Sequence, residues 1–158
     1  VDCTRFRELF DALPSASDED FEAWAEHERT CRACSDAWIE HKVRSRGADP
    51  GAYPCVHLAL QSTHTCPEHP DPRQCPEAVV VYEPRFREWG LPIRAAADAD
   101  AFSYLVIRHC PWCGVAVPPS LRDAWHTELA HLGFPNPLAA WDDLPEAFLS
   151  DTWWRERS

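Results

Sequence analysis

HERTCRACSDAW, residues 27–38, sets one histidine and two cysteines at intervals of four and three. On one helix, or on two helices nearly continuous, that spacing turns His27, Cys31 and Cys34 to the same face. Three such donors ask for a fourth, because zinc takes four ligands in a structural site. The flanking sequence supplies it. TRFRELFDAL, residues 4–13, carries Phe6, Leu9, Phe10 and Leu13 at helical spacing. PSAS then interrupts the pattern, and Ser17 is the expected N-cap of an acid-led helix through DEDFEAWAEH, with Phe21, Trp24 and Ala25 as its apolar stripe. If the two helices form an antiparallel hairpin, Cys3 lies beside His27 and completes the set. A further helix is expected through CSDAWIEHKVRSR, stopped at Gly47.

A thiol–disulfide switch is the other use of Cys-x-x-Cys. It requires a helix N-terminus to depress the thiol pKa, whereas Cys31 follows a helical run. Metal binding is therefore the expected chemistry of this segment, with a redox-responsive regulator as one alternative.

The composition bounds the functional classes. With 158 residues, eight Trp and seven Phe, the chain has material for one ordinary core or two small ones. The formal net charge is −11 and Lys42 is the only lysine. That balance disfavours broad contact with a phosphate backbone, which needs clustered cations. No apolar run is long enough to span a membrane, and VDCTRFRELF has no signal-peptide pattern. The expected location is the cytoplasm, where thiols stay reduced. Eight Cys beside eight His then read as metal ligands rather than disulfides.

The remainder of the chain has a different texture. GADPGAYP, residues 47–54, has linker chemistry, and CVHLALQSTHTCPEHPDPRQCPEA reads as irregular. AVVVYEP, LPIR and SYLVIRHC are three strand candidates that lead into the turn CPWCG, residues 110–114. Two thiols three residues apart before a glycine form a zinc knuckle, which provides half of a zinc site. Cys66 and Cys75 are the expected partners of Cys110 and Cys113, with Cys55 or His69 as substitutes. His109, His126 and His131 are expected at the surface. PPSLRDAWHTELAHLG is the clearest helix: Ser120 as N-cap, Leu121, Trp125, Leu129 and Leu132 as its buried face, Gly133 as its stop. The tail offers Trp153 and Trp154, beside Arg155 and Arg157, either as a partner-binding anchor or as a lid on the domain's own core.

Two resemblances accompany this reading. Cys3 followed by HERTCRAC resembles the zinc-binding anti-sigma-factor domain, with its His-x3-Cys-x2-Cys signature and upstream ligand. The likeness covers residues 2 to about 46. It implies zinc on Cys3, His27, Cys31 and Cys34 and a sigma factor as partner, released in some members when oxidation expels the metal. Residues 55–158 resemble a family of small, largely uncharacterised bacterial and phage proteins. The segments that carry it are CPEHPDPRQCPEAVVVYEPRFREWGLPI, IRHCPWCGVAVPPSLRDAWHTELAHLGF and LPEAFLSDTWWR. That likeness implies a zinc-ribbon-like domain without an assigned activity. RAAADADAF, residues 94–102, stands where such sequences carry a glycine-rich turn.

The expected fold is α+β: a small helical zinc-binding unit over 1–47, a linker over 48–54, and a zinc-ribbon-like antiparallel sheet with a C-terminal helix and Trp-rich tail over 55–158. The expected function is a non-enzymatic, zinc-stabilised interaction or regulatory module with two zinc ions per chain. Its expected partner is a protein, a sigma factor or another part of the transcription machinery. His-Glu-x-x-His, the zinc-deaminase pattern, a phosphate loop and a Gly-x-Ser-x-Gly elbow are all absent from the sequence. A nucleic-acid-binding zinc ribbon using Arg85, Arg87, Arg94 and Arg108 is the other alternative.

Overall fold

The computed structural model describes residues 1–93 and 102–156. The chain has a mixed α+β fold and divides into two compact units, Val1–His64 and Thr65–Ser158. Arg94, Arg157 and nearly all of the RAAADADAF segment lie outside the described residues.

The first unit is helical. Helix α1 (Cys3–Glu8) starts at Asp2, whose carboxylate accepts a hydrogen bond from the Arg5 N–H at 2.8 Å. It is shorter than the periodicity of residues 4–13 suggests. Leu9 ends it, and a 3-10 turn over Leu13–Ser15, built around Pro14, leads on. Ser17 caps α2 (Asp18–Thr30) as expected, accepting from the Asp20 N–H at 3.2 Å. Asp18, Glu19 and Asp20 sit in the first turn, where the helix dipole favours them. Cys31 is extended and serves as the C-cap of α2 and the N-cap of α3 (Arg32–Ser45). Gly47, with φ +77°, closes α3, and the Ala48 N–H reaches back to the Val43 carbonyl at 3.3 Å.

Packing in this unit is aromatic. Phe6, Leu9, Trp24 and Cys34 form its buried centre. The rings of Phe6 and Trp24 stack at 4.9 Å, and Trp38 meets Trp24 edge-on at 5.2 Å. Phe21, expected on the buried stripe, is instead half exposed: it lies in the opening turns of α2 at the margin of the core, its ring 6.4 Å from that of the buried Trp24.

Residues 48–64 join this unit instead of forming a linker and an irregular start to the next. Helix α4 (Val56–Ser62) packs on α3 and buries Leu58 and Ala59 completely. Arg46, just past the end of α3, donates to the Leu60 carbonyl at 2.9 Å and the Thr63 carbonyl at 3.3 Å. Those are carbonyls that the end of α4 leaves without helical partners.

The second unit contains a three-stranded antiparallel sheet in the order β1 (Val81–Glu83), β2 (Glu88–Ile93), β3 (Ser103–Val106). The register pairs Val81 with Gly90, Glu83 with Glu88 and Gly90 with Val106. Gly90 is required there: a Cβ would lie 2.1 Å from the Tyr104 ring. A 3-10 turn over Pro84–Phe86 and Arg87 in the left-handed region (φ 51°) connect β1 to β2.

Helix α5 (Arg122–His131) buries Trp125 and Leu129 against Phe86, Leu144, Phe148 and Trp153. Ser120 lies just before the helix, and its hydroxyl accepts from the Arg122 N–H at 3.0 Å. Leu132, expected in the buried face, is half exposed. The reversal at Gly133 (φ +95°) ends the helix and brings Phe134 onto the core in its place. The tail ends in α6 (Thr152–Arg155), and its tryptophans are tied into the fold. Trp153 Nε1–H donates to the Arg85 carbonyl at 2.7 Å and Trp154 Nε1–H to the Pro84 carbonyl at 3.0 Å. Trp153 is buried in the unit's own core, so it forms the lid and not an exposed anchor.

Candidate metal centres

The first centre is assembled by three helices. Cys3 opens α1, His27 lies in the last turn of α2, Cys31 forms the joint and Cys34 lies in the first turn of α3. Their four ligand atoms all lie within 4.8 Å of one another. Bond lengths for zinc place two sulfurs on a tetrahedron about 3.8 Å apart, and a sulfur and a nitrogen about 3.6 Å apart. The Sγ atoms of Cys3 and Cys31 stand at 4.0 Å. A disulfide would hold them at about 2 Å. The spacing leaves room for one ion between the two sulfurs.

Two further observations fit a metal. His27 Nε2 is buried and has no hydrogen-bond partner, a costly state that a coordinate bond would satisfy. Burial, reinforced by the neighbouring thiols of Cys3 and Cys31, pushes the Cys34 thiol up to about 12. It is a poor nucleophile on its own, and coordination deprotonates a thiol outright. The Cys31 thiol is shifted down, chiefly by the Cys34 N–H pointing at its sulfur. Cys31 follows one helix, as expected, but it also heads another, so the dipole of α3 adds to that effect.

The CPWCG segment folds as a tight turn. His109 and Ala116 form an antiparallel bridge across its base. The Gly114 N–H bonds the Cys110 carbonyl at 2.9 Å, the Cys110 N–H bonds the Val115 carbonyl at 2.8 Å, and Gly114 has φ +72°. Cys110 is buried and Cys113 is partly so. The turn presents two thiols, as the knuckle reading requires.

The other two expected donors of that site are placed elsewhere in the second unit. Cys66 and Cys75 gather with His69, the substitute ligand, and all three ligand atoms lie within 4.8 Å of one another. Among the described residues, Cys110 and Cys113 do not join that group. Cys55 lies in the first unit, as the N-cap residue of α4. Nothing in the spacing of Cys66-x2-His69-x5-Cys75 separates it from the knuckle. The signal that does is local: PEHPDPRQ is rich enough in proline and Asp to fold the segment on itself.

Two of the arginines suggested for nucleic acid, Arg85 and Arg87, are engaged within the fold. Arg85 lies over Phe86 at 4.5 Å and over Trp141 at 4.8 Å, and pairs with the buried Glu83. Arg87 donates to the Pro119 carbonyl at 3.1 Å. Arg108 is exposed. His109, His126 and His131 are exposed as expected.

This unit also contains a buried polar cluster that no motif or spacing in the sequence marks. Glu88 accepts from Arg122 Nε at 3.1 Å, from Arg122 Nη2 at 2.6 Å, from the Tyr104 hydroxyl at 2.8 Å and from the Ser120 hydroxyl. Burial raises the Glu88 carboxyl, but the bonds from Arg122, Ser120 and Tyr104 outweigh it and hold the group below its ordinary value.

The chain belongs to the family described as a domain of unknown function (DUF6980), whose model matches residues 52–156, about two thirds of its length. No curated protein and no solved structure matches it. The matched segment contains the Cys66 group and the knuckle, while Cys3, His27, Cys31 and Cys34 precede it. Its clusters of cysteine and histidine can hold zinc, and among the described residues no helix is long and apolar enough to cross a membrane.

Proposed function

We propose that this member of a family without assigned function is a non-enzymatic, zinc-stabilised interaction module of the cytoplasm. Its first unit is an anti-sigma-like clamp, and its partner is a sigma factor or another protein of the transcription machinery. The observation that carries the reading is the four-ligand centre with its unpartnered imidazole nitrogen. Zinc there pins α1, α2 and α3 at one point, in a unit too small to rely on its core alone. The two thiols of the knuckle give the second unit a metal staple of its own.

Partner binding has a surface to use. Near the start of α2, Phe21 is exposed and lies with Glu22, Ala25, Glu26 and Arg29 around a shallow depression. An apolar ring flanked by acids suits a basic amphipathic helix. Nucleic acid is disfavoured by the net charge and by the engagement of Arg85 and Arg87.

The test uses purified sigma factors and RNA polymerase from the source organism, with binding followed by calorimetry. The zinc-loaded chain should bind one of them. Phe21→Ala should weaken that binding about tenfold, the loss of one buried aromatic contact, and Cys34→Ser should abolish it together with one zinc. Binding to none of these proteins would refute the transcription reading.

A further inference from the structure

We infer that Cys66, His69 and Cys75 form a metal site of their own, separate from the knuckle at Cys110 and Cys113, with Zn2+ as the ion. The chain then carries one more metal than two four-ligand sites would give. The inference does not depend on the partner of the first unit or on the Cys3 centre.

Geometry carries it. Cys66 Sγ stands 3.4 Å from His69 Nδ1, close to the sulfur–nitrogen edge of about 3.6 Å that tetrahedral zinc sets. Cys75 is fully buried, and its sulfur closes the triangle within 4.8 Å of both. The loop holding these donors is braced by its own backbone. The His69 N–H bonds the Cys66 carbonyl at 3.2 Å, and the Gln74 N–H bonds the Asp71 carbonyl at 3.0 Å. The Ala78 N–H bonds the Cys75 carbonyl at 3.2 Å, just before the strand β1. Cys75 and Ala78 pack with Val81, and Cys66 and Tyr104 lie against them, so an apolar wall backs the site.

Two sulfurs and one imidazole are borderline-soft donors that suit zinc over magnesium or calcium. Binding converts two thiols to thiolates and releases two protons. The neutral His69 ring gives its Nδ1 lone pair, and a fourth donor from outside the loop completes the tetrahedron. A thiol–imidazole pair needs only Cys66 and His69, whereas three donor atoms, the sulfur of Cys75 included, gather here within 4.8 Å of one another.

The experiment counts zinc in the full chain by elemental analysis and native mass spectrometry for the unaltered protein, His69→Ala, Cys113→Ser and the double variant. Near-ultraviolet circular dichroism of the tryptophan core monitors folding. Each single variant should lose one zinc, and the double variant should lose two. Full zinc retention by His69→Ala would overturn the proposal. So would a double variant that loses only one, because Cys66 and Cys75 would then share the knuckle's ion. Should a variant unfold, 113Cd NMR of the unaltered chain decides. A resonance in the range of two-sulfur coordination is expected, and its absence would refute the separate site.

Discussion

Glu83 and Glu88 face each other across β1 and β2, and both are buried. Two carboxylates directly opposite repel, so the pairing stands only because cations answer each one. Arg73 and Arg85 pair with Glu83, while Arg122 grips Glu88 from the start of α5. A neutral amide at position 88 leaves Arg122 without its anion. Glu88→Gln should destabilise the second unit by about 2 kcal/mol, the scale of hydrogen bonds to a charged group, as read by urea unfolding. The pH dependence follows from the lowered folded pKa. The contribution is present above the ordinary value of 4.5 and is lost as pH falls through the folded value. Acid titration should therefore destabilise the unaltered protein more steeply than Glu88→Gln below that value. None of this is legible in VYEPRFRE, where only the strand register reveals which acids meet. The metal donors, by contrast, are legible by type. Spacing alone points to His27, Cys31 and Cys34, but the separation of Cys66 from Cys110 depends on how a proline-rich loop folds.

Among the elements, caps are the most readable signals. Ser17, Gly47 and Gly133 stand at the helix ends where their chemistry predicts them. Helix α4 is the element the sequence conceals. In VHLALQS, apolar residues fall nearly in succession, without a helical stripe, and the surrounding cysteines and histidines suggest an irregular ligand loop. Its helix is selected by packing on α3, a tertiary cause. Because His27 is carried by α2, a cap at the far end of that helix bears on the metal. Ser17→Ala should cost about 1 kcal/mol of helix stability. Competition with a chromogenic chelator should show the Cys3 centre releasing its zinc more readily in that variant, with the count at saturation unchanged.

At the scale of the whole chain, the units are divided at His64, not in the Pro- and Gly-rich stretch near residue 50. Composition shifts mark where a chain is irregular, and Pro50–Ala52 is merely a 3-10 turn inside the first unit. The difference has a measurable result. A fragment of residues 1–64 keeps α4 packed on α3, whereas a fragment of 1–47 loses the buried Leu58 and Ala59 from that face. Burial of a leucine stabilises by about 2 kcal/mol. With zinc bound to both, the shorter fragment should melt on the order of 10 °C lower by circular dichroism. Equal melting temperatures would show that α4 adds nothing to the first unit.

The joint at Cys31 limits how this sequence can drift. One residue ends a helix, begins another and offers a sulfur between them. Inserting or deleting a single residue between Cys31 and Cys34 would turn the second sulfur about 100° around α3. Substitutions on the outer faces leave the centre intact, but a change of length does not. Relatives that keep this centre should therefore differ freely in the identities of residues 28–30 and 32–33, while alignments of them show no gaps there.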